Sequence, residues 1–94
     1  MLNVQECLIV FFADACPEGF VRKDGNLVSK NPIKQHGSVT REVCGQKCLD
    51  DTNCLSFKHS NTELYCNLHD VADPDVVELY KDYTFCSKIG NIMM

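Results

Sequence analysis

The segment VCGQKCLDDTNCLSF, residues 43–57, holds three of the chain's seven cysteines and changes its pattern halfway along. Thr40 precedes it and is a good helix N-cap, because its hydroxyl can accept a hydrogen bond from a backbone N–H of the first turn. We therefore expect a helix from Arg41 to about Leu49. The run DDTN, residues 50–53, contains residue types that favour caps and turns, and it ends the helix.

The inner face of this predicted helix is a narrow stripe formed by Val43, Cys44, Lys47 and Cys48. Gly45 lies in the helix interior, where glycine costs about 1 kcal/mol relative to alanine. It therefore marks the weak point of the helix.

From Cys54 the pattern alternates with a period of two, which predicts a β-hairpin. The alternate positions are Leu55, Phe57 and His59 in the first run, and Leu64, Cys66 and Leu68 in the second. With Ser60-Asn61 as a two-residue turn, Phe57 lies opposite Leu64 and Leu55 opposite Cys66. Cys66 then points into the core.

Shorter signals predict the remaining elements. Asp24-Gly25, at the centre of residues 20–29, predicts a tight hairpin. Residues 30–37 contain proline and glycine without periodicity and indicate a loop. Residues 76–80 fit a short strand or a helical turn, and residues 82–86 predict a final strand before a tail without evident structure.

Length and composition favour a small secreted scaffold. Ninety-four residues suffice for one domain, and seven cysteines in so short a chain indicate disulfide bonds in an oxidising compartment. The alternative is a reduced intracellular protein whose cysteines bind zinc or pack as small apolar residues. The net charge of −4, the interleaved charges and the absence of tryptophan argue against nucleic acid as a partner.

The first fifteen residues differ from the rest. Cys7 to Ala13 is an unbroken apolar run, and Ala13-Asp14-Ala15 has the A-x-A pattern of a signal-peptide cleavage site. Residues 1–15 are therefore interpreted as a signal peptide or its remnant, with a first β-strand as the alternative. The run is too short to span a bilayer. If Cys7 is retained, it is an odd thiol that is free or bridged to another chain.

The six cysteines after residue 15 can all pair: Cys16, Cys44, Cys48, Cys54, Cys66 and Cys86. Cys44 and Cys48 lie one helical turn apart with parallel Cβ directions, which is a poor geometry for bridging each other. The inward Cys66 favours a bridge to Cys44, and Cys54 lies across the helix-ending turn from Cys48. This leaves a bridge between Cys16 and Cys86, which joins the first strand to the last.

Residues 43–57, followed by Tyr65-Cys66-Asn67-Leu68, resemble the core of the PAN/Apple module family. The shared pattern is C-x3-C-x5-C-x-x-F and then a cysteine-containing strand that ends in leucine. With Cys16 and Cys86 included, the resemblance covers roughly residues 16–87. It implies an α+β fold, namely a small disulfide-rich curved antiparallel β-sheet with one α-helix packed on it, and a disulfide pattern similar to that above.

The resemblance also implies a function. Family members are mostly secreted or cell-surface modules that bind proteins or glycans. We therefore expect a module at residues 16–87, a tail at residues 88–94 and a non-catalytic extracellular role in recognition or adhesion, as part of a larger chain or as a monomeric module. The alternative is a stand-alone secreted disulfide-rich effector or structural protein.

No catalytic, cofactor or metal site is predicted. Paired cysteines leave no nucleophile, and no G-x-S-x-G motif occurs. Three scattered histidines fit structural or solvated roles better than catalysis. Cys66 and His69 have the spacing of a zinc-ligand pair, but a second pair is missing.

A heparin-like glycan would need a basic cluster, and six residues are candidates for such a ligand surface: Arg22, Lys23, Lys30, Lys34, Arg41 and Lys47. They match no family motif, and most are expected to form a solvated face. The aromatic residues divide into predicted core, Phe20, Phe57 and Phe85, and predicted surface, Tyr65, Tyr80 and Tyr83. The tyrosines are candidates for contact with a protein partner.

Overall fold

The computed structural model describes residues 15–76 and 82–89. Within these ranges the elements are β1 (Phe20–Lys23), β2 (Lys34–His36), α1 (Arg41–Asp50), β3 (Ser56–Ser60), β4 (Cys66–His69) and β5 (Tyr83–Lys88). The strands form one antiparallel sheet in the order β1-β5-β3-β4-β2. With three disulfides and α1 on one side of the sheet, the predicted α+β disulfide-rich fold is confirmed.

Three predictions fall wholly or largely outside the described residues. The apolar run and most of the predicted signal segment lie in residues 1–14. The strand or helical turn predicted for residues 76–80 is described only at Val76, and the predicted tail only at residues 88 and 89.

Helix α1 begins and ends close to the predicted residues. The Thr40 hydroxyl accepts a hydrogen bond from the Val43 N–H at 3.2 Å, as expected of the N-cap. At the other end, the Asp51 N–H donates to the Cys48 carbonyl at 3.2 Å. Local capping signals therefore locate both ends of the helix.

The buried face of α1 differs from the predicted stripe. Its two cysteines and Gly45 are buried, whereas Val43 is 43 % exposed. A Cβ atom on Gly45 would lie 2.9 Å from the Pro17 ring and 3.3 Å from the Phe20 ring. The helix thus packs on Pro17 and Phe20 through its glycine, and Val43 faces outward.

The predicted hairpin of β3 and β4 is confirmed, but its register is wrong. Phe57 lies opposite Leu68, where the two-residue turn predicts Leu64, and His59 lies opposite Cys66. The register is displaced by four residues because the connection runs from residue 61 to residue 65. An even displacement keeps Phe57, Cys66 and Leu68 on the predicted face. Leu55 and Leu64, predicted for the same apolar face, lie outside the two strands and are 42 % and 38 % exposed, so that part of the prediction is wrong.

The hairpin predicted at residues 20–29 is wrong. Strand β1 pairs with β5, with Arg22 opposite Cys86. Beyond the Asp24-Gly25 turn, Asn26 forms an isolated bridge with Val76. After this turn the chain therefore pairs with Val76 and does not form a hairpin with β1.

Strands β2 and β5 also extend the sheet beyond the prediction. Strand β2 lies inside the predicted loop 30–37 and pairs with β4 as an edge strand. Strand β5 continues to Lys88, past the predicted end at Cys86, because β1 pairs with it over that length. Lys88 is consequently part of the sheet, and the predicted tail at residues 88–94 begins inside it.

Side chains are buried on both faces of the sheet. On the α1 side, Phe57 and Leu68 pack with Phe20, whose ring meets the Phe57 ring edge-on at 4.9 Å. On the opposite side, Phe85 and Leu27 are 2 % and 3 % exposed. That second face lies under two segments, residues 24–33 and 70–76, which we call the cover loops. All three predicted core phenylalanines are therefore buried.

Candidate functional site

Three disulfides hold the elements together: Cys16–Cys86, Cys44–Cys66 and Cys48–Cys54. The first ties the chain before β1 to β5, the second ties α1 to β4, and the third closes the turn after α1. These are the same three pairs that the helix and hairpin geometry predicts. All six cysteines within the described ranges are therefore oxidised, and none supplies a thiol nucleophile or a thiolate metal ligand.

The six basic residues considered as a ligand surface do not form one cluster. Arg22 and Lys23 lie on β1 and Lys34 on β2, which are opposite edges of the sheet. Four of the six are ion-paired: Arg22 with Asp24 at 3.3 Å, Lys30 with Asp70 at 3.8 Å, Lys34 with Asp51 at 3.5 Å, and Lys23 with Asp73. A polyanionic ligand would meet a carboxylate beside each of these cations.

Two of the six, Lys34 and Lys47, line the same groove, which runs between β2 and the end of α1. One part has a volume of about 390 Å³ and is lined by Lys34, His36, Lys47, Asp50, Asp51, Thr52 and Leu68. An adjoining part of about 540 Å³ is lined by Ile33, Lys34, Asp51, Thr52, Asn53, Leu55 and Asp70. Because the two parts share three residues, we treat them as one site and call it the β2 groove.

The β2 groove combines donors, acceptors and apolar surface. The Lys34–Asp51 ion pair lies where its two parts meet, and Ile33 and Leu55 are 37 % and 42 % exposed along the second part. Burial, and then the charges of Lys47 and Lys34, lower the pKa of His36. His36 is therefore neutral at pH 7 and can both donate and accept hydrogen bonds.

Sequence reasoning did not identify the acidic side of this groove. The DDTN run predicts only the end of the helix, yet it contributes Asp50, Asp51, Thr52 and Asn53 to the groove. The only sequence signal was the density of polar side chains in that run. Its proximity to β2 depends on the pairing of β2 with β4, which no local pattern shows.

The tyrosines predicted to be exposed differ in their surroundings. Tyr65 is 48 % exposed in the connection before β4. Tyr83 is half-buried, and the Lys58 ammonium lies 5.2 Å from its ring centroid, a cation–π contact. Tyr80 lies outside the described residues.

Two of the three histidines, His59 and His69, are buried in the fold. His59 is buried; its Nε2 lies 2.7 Å from the Val39 carbonyl, and Arg41 Nε donates to its Nδ1 at 3.4 Å. These contacts fit the neutral tautomer with its proton on Nε2. Burial lowers the pKa of His59 and favours the same neutral form. His69 is buried on the other face of the sheet.

Residues 15–76 and 82–89 contain neither a metal-ligand cluster nor a membrane span. No cluster of three or more histidine, cysteine or acidic side chains gathers there in a form suited to a metal ion. The same residues contain no helix with the length and hydropathy of a membrane span.

Comparison with known proteins places the chain in a family. The family model described as PAN domain matches residues 16–89, which include all six disulfide-bonded cysteines. Searches of curated proteins and of solved structures found no match. PAN domains occur in extracellular proteins as non-catalytic modules that bind proteins or carbohydrates. This chain belongs to the PAN domain family.

Proposed function

We propose that this chain is a secreted, non-catalytic recognition module that binds a protein or carbohydrate ligand through the β2 groove. The observation that carries the proposal is the PAN domain match over residues 16–89. The three disulfides support an oxidising, extracellular setting. The β2 groove supports the location, because it joins charged, hydroxyl and apolar side chains on an open edge of the sheet.

The charges of the groove favour a ligand of balanced polarity over a polyanion. Lys34 and Lys47 face three carboxylates, those of Asp50, Asp51 and Asp70. Sulfated chains would be repelled by these acids, whereas hydroxyl and amide groups can bind to both kinds of side chain. The ligand is therefore proposed to be an uncharged glycan or a polar peptide surface.

The test is a binding screen followed by paired variants. The oxidised protein is applied to arrays of glycans and of extracellular proteins, and the dissociation constant of each hit is measured. Lys34→Ala and Thr52→Ala remove exposed groove side chains and should weaken binding about tenfold, or about 1.4 kcal/mol. Arg22→Ala, on the opposite edge of the sheet, is the matched control and should leave the dissociation constant unchanged.

The possible results distinguish an error in the proposed binding site from an error in the proposed function. Binding that Arg22→Ala abolishes and Lys34→Ala leaves intact would place the ligand outside the β2 groove. Absence of binding to every protein and glycan tested would contradict the recognition function. Tight, salt-sensitive binding to heparin would contradict the proposed ligand class.

A further inference from the structure

His69 is buried without hydrogen bonds on the face of the sheet beneath the cover loops. Its side chain is 2 % exposed, and neither Nδ1 nor Nε2 has a hydrogen-bond partner among the described residues. A buried polar group without a partner loses the hydrogen bonds that water would give it. We propose that His69 is a pH-operated latch, whose protonation opens the cover loops and exposes the second face of the sheet.

Within the described residues, the cover loops are held by hydrogen bonds and ion pairs and by no covalent cross-link. Lys30 pairs with Asp70 between the loops, and Lys23 of β1 pairs with Asp73. The Lys58 ammonium donates to the Leu27 carbonyl, and the Ile33 N–H donates to the Leu68 carbonyl. Asn26 and Val76 form the isolated bridge between the two loops, and the Asp75 carboxylate accepts hydrogen bonds from the N–H groups of Val28 and Ser29. The Ser56 hydroxyl donates to the Val71 carbonyl at 2.6 Å, which attaches the second loop to β3. Neither loop contains a cysteine, so no disulfide prevents them from lifting.

The α1 face of the sheet is held differently. The Cys44–Cys66 disulfide joins α1 to β4, and the Cys48–Cys54 disulfide joins the end of α1 to the residues before β3. These covalent bonds cannot respond to pH in this range. The cover loops can therefore open while the helix and the sheet remain assembled, which is a local opening of lower free energy than unfolding.

The charges around His69 come from three segments. Lys58 approaches from β3 and Lys30 from the first cover loop, whereas Asp70 and Asp75 belong to the second. On the same face of β5, register places Ser87 and Phe85 nearest to His69, and both are uncharged; Tyr83 lies on this face farther along the strand. Two cations oppose a charged imidazole and two carboxylates favour it, so burial decides the balance.

Burial, and then the charge of Lys58, lower the pKa of His69 from its usual 6.5 to about 4 in the closed form. The open form exposes the ring and restores the usual value. Between pH 6.5 and 4 the open form therefore binds the proton more tightly, and acid favours opening. With these two values, the opening equilibrium rises about twentyfold from pH 7 to pH 5.

The hydrogen bonds between the Asp75 carboxylate and the first cover loop do not explain such a change. Hydrogen bonds from Ser29 and Val28 lower the pKa of Asp75 below its usual 3.8, so it stays ionised at pH 5. Its hydrogen bonds to the first cover loop are therefore present at both pH 7 and pH 5. The opening exposes Phe85 and Leu27, an apolar surface that is closed at neutral pH.

Hydrogen exchange of the intact oxidised protein tests the latch. The informative amides are those of Asn26, Val28, Ser29 and Val76, each hydrogen-bonded between the cover loops. After correction for intrinsic exchange, these amides should exchange about twentyfold faster at pH 5 than at pH 7. The exchange rates of the α1 amides should change much less between the two pH values. Equal rates at the two pH values, or equal acceleration in α1, would overturn the proposal.

Paired variants identify the responsible side chain. His69→Leu removes the titrating ring and should abolish the acceleration, whereas His36→Gln, on β2, should retain it. Acceleration that survives in His69→Leu would assign the opening to another group. If His69→Leu does not fold, NMR titration of the wild-type protein provides the test. The chemical shifts of the His69 ring and of the cover-loop amides should change with the same midpoint pH. Different midpoints would contradict the proposal.

Discussion

Gly45 lies where α1 packs against Pro17 and Phe20, and the absence of a side chain makes room for both rings. In an exposed helix interior, Gly→Ala stabilises by about 1 kcal/mol. Here we expect Gly45→Ala to lower the free energy of unfolding by about 1 kcal/mol, because the new Cβ would displace the proline ring. Urea denaturation of the oxidised protein measures the change.

Gln46→Ala is the matched control for this substitution, since Gln46 is the exposed neighbour on the same helix. It should change the free energy of unfolding by less than about 0.5 kcal/mol. A Gly45→Ala protein more stable than the wild type would mean that the two rings relax without cost and that helix propensity dominates.

The same residue shows one limit of prediction from sequence. Within the helix, Gly45 can only be recognised as a position of low helix propensity. Its packing role depends on Pro17 and Phe20, which are distant in sequence and lie beside the helix because β1 pairs with β5 in the sheet. Propensity is local, whereas close packing is a property of the assembled fold.

Among the elements, α1 has the most clearly defined start. The Thr40 hydroxyl satisfies the Val43 N–H, a group that the helix itself cannot satisfy. Thr40→Ala should therefore lower the free energy of unfolding by about 1 kcal/mol. Thr52→Ala, an exposed threonine after the helix, is the control and should have little effect. Equal stability of Thr40→Ala and the wild type would show that water replaces the cap without loss.

The β3–β4 hairpin shows what alternation can and cannot specify. A period of two assigns side chains to faces, so Phe57 and Cys66 were placed on the correct side. The register also depends on the connection, where the Ser60 hydroxyl accepts hydrogen bonds from the Thr62 and Glu63 N–H groups and Leu64 has a φ of 59°. Such a turn has no strong dipeptide signature, unlike Asn-Gly.

Strand β1 shows that a strong local signal can predict the wrong strand pairing. Asp24-Gly25 is a strong local turn signal, and it suggested pairing between sequence neighbours. The partner is instead β5, at the other end of the module. The sequence did contain one non-local indication of this pairing, because the predicted Cys16–Cys86 bridge already joined the first and last strands.

At the scale of the whole molecule, the β2 groove is assembled from separate parts of the chain. Ile33 and Lys34 lie at the start of β2, Asp51 follows α1, and Leu55 precedes β3. Each segment alone has an ordinary surface composition. The disulfides and the order of the strands bring them together, so no local pattern of the sequence predicts the groove.

The three disulfides should differ in their contributions to stability, because they close loops of very different length. Cys16–Cys86 spans a sequence separation of 70, and Cys48–Cys54 spans 6. A chain-entropy estimate gives about 4 kcal/mol for the first and about 2 kcal/mol for the second. Replacing each pair by alanines and measuring urea denaturation should therefore show the larger loss for Cys16–Cys86.

The alternative ranking would also be informative. Cys48 and Cys54 are fully buried, whereas Cys16 is only partly buried, so packing of the sulfur atoms acts against the entropic order. If the Cys48–Cys54 pair costs as much to remove as Cys16–Cys86, core packing outweighs loop closure in this module. If the entropic ranking holds, Cys16–Cys86, which closes the longest loop of the three disulfides, is the main covalent restraint on the unfolded chain.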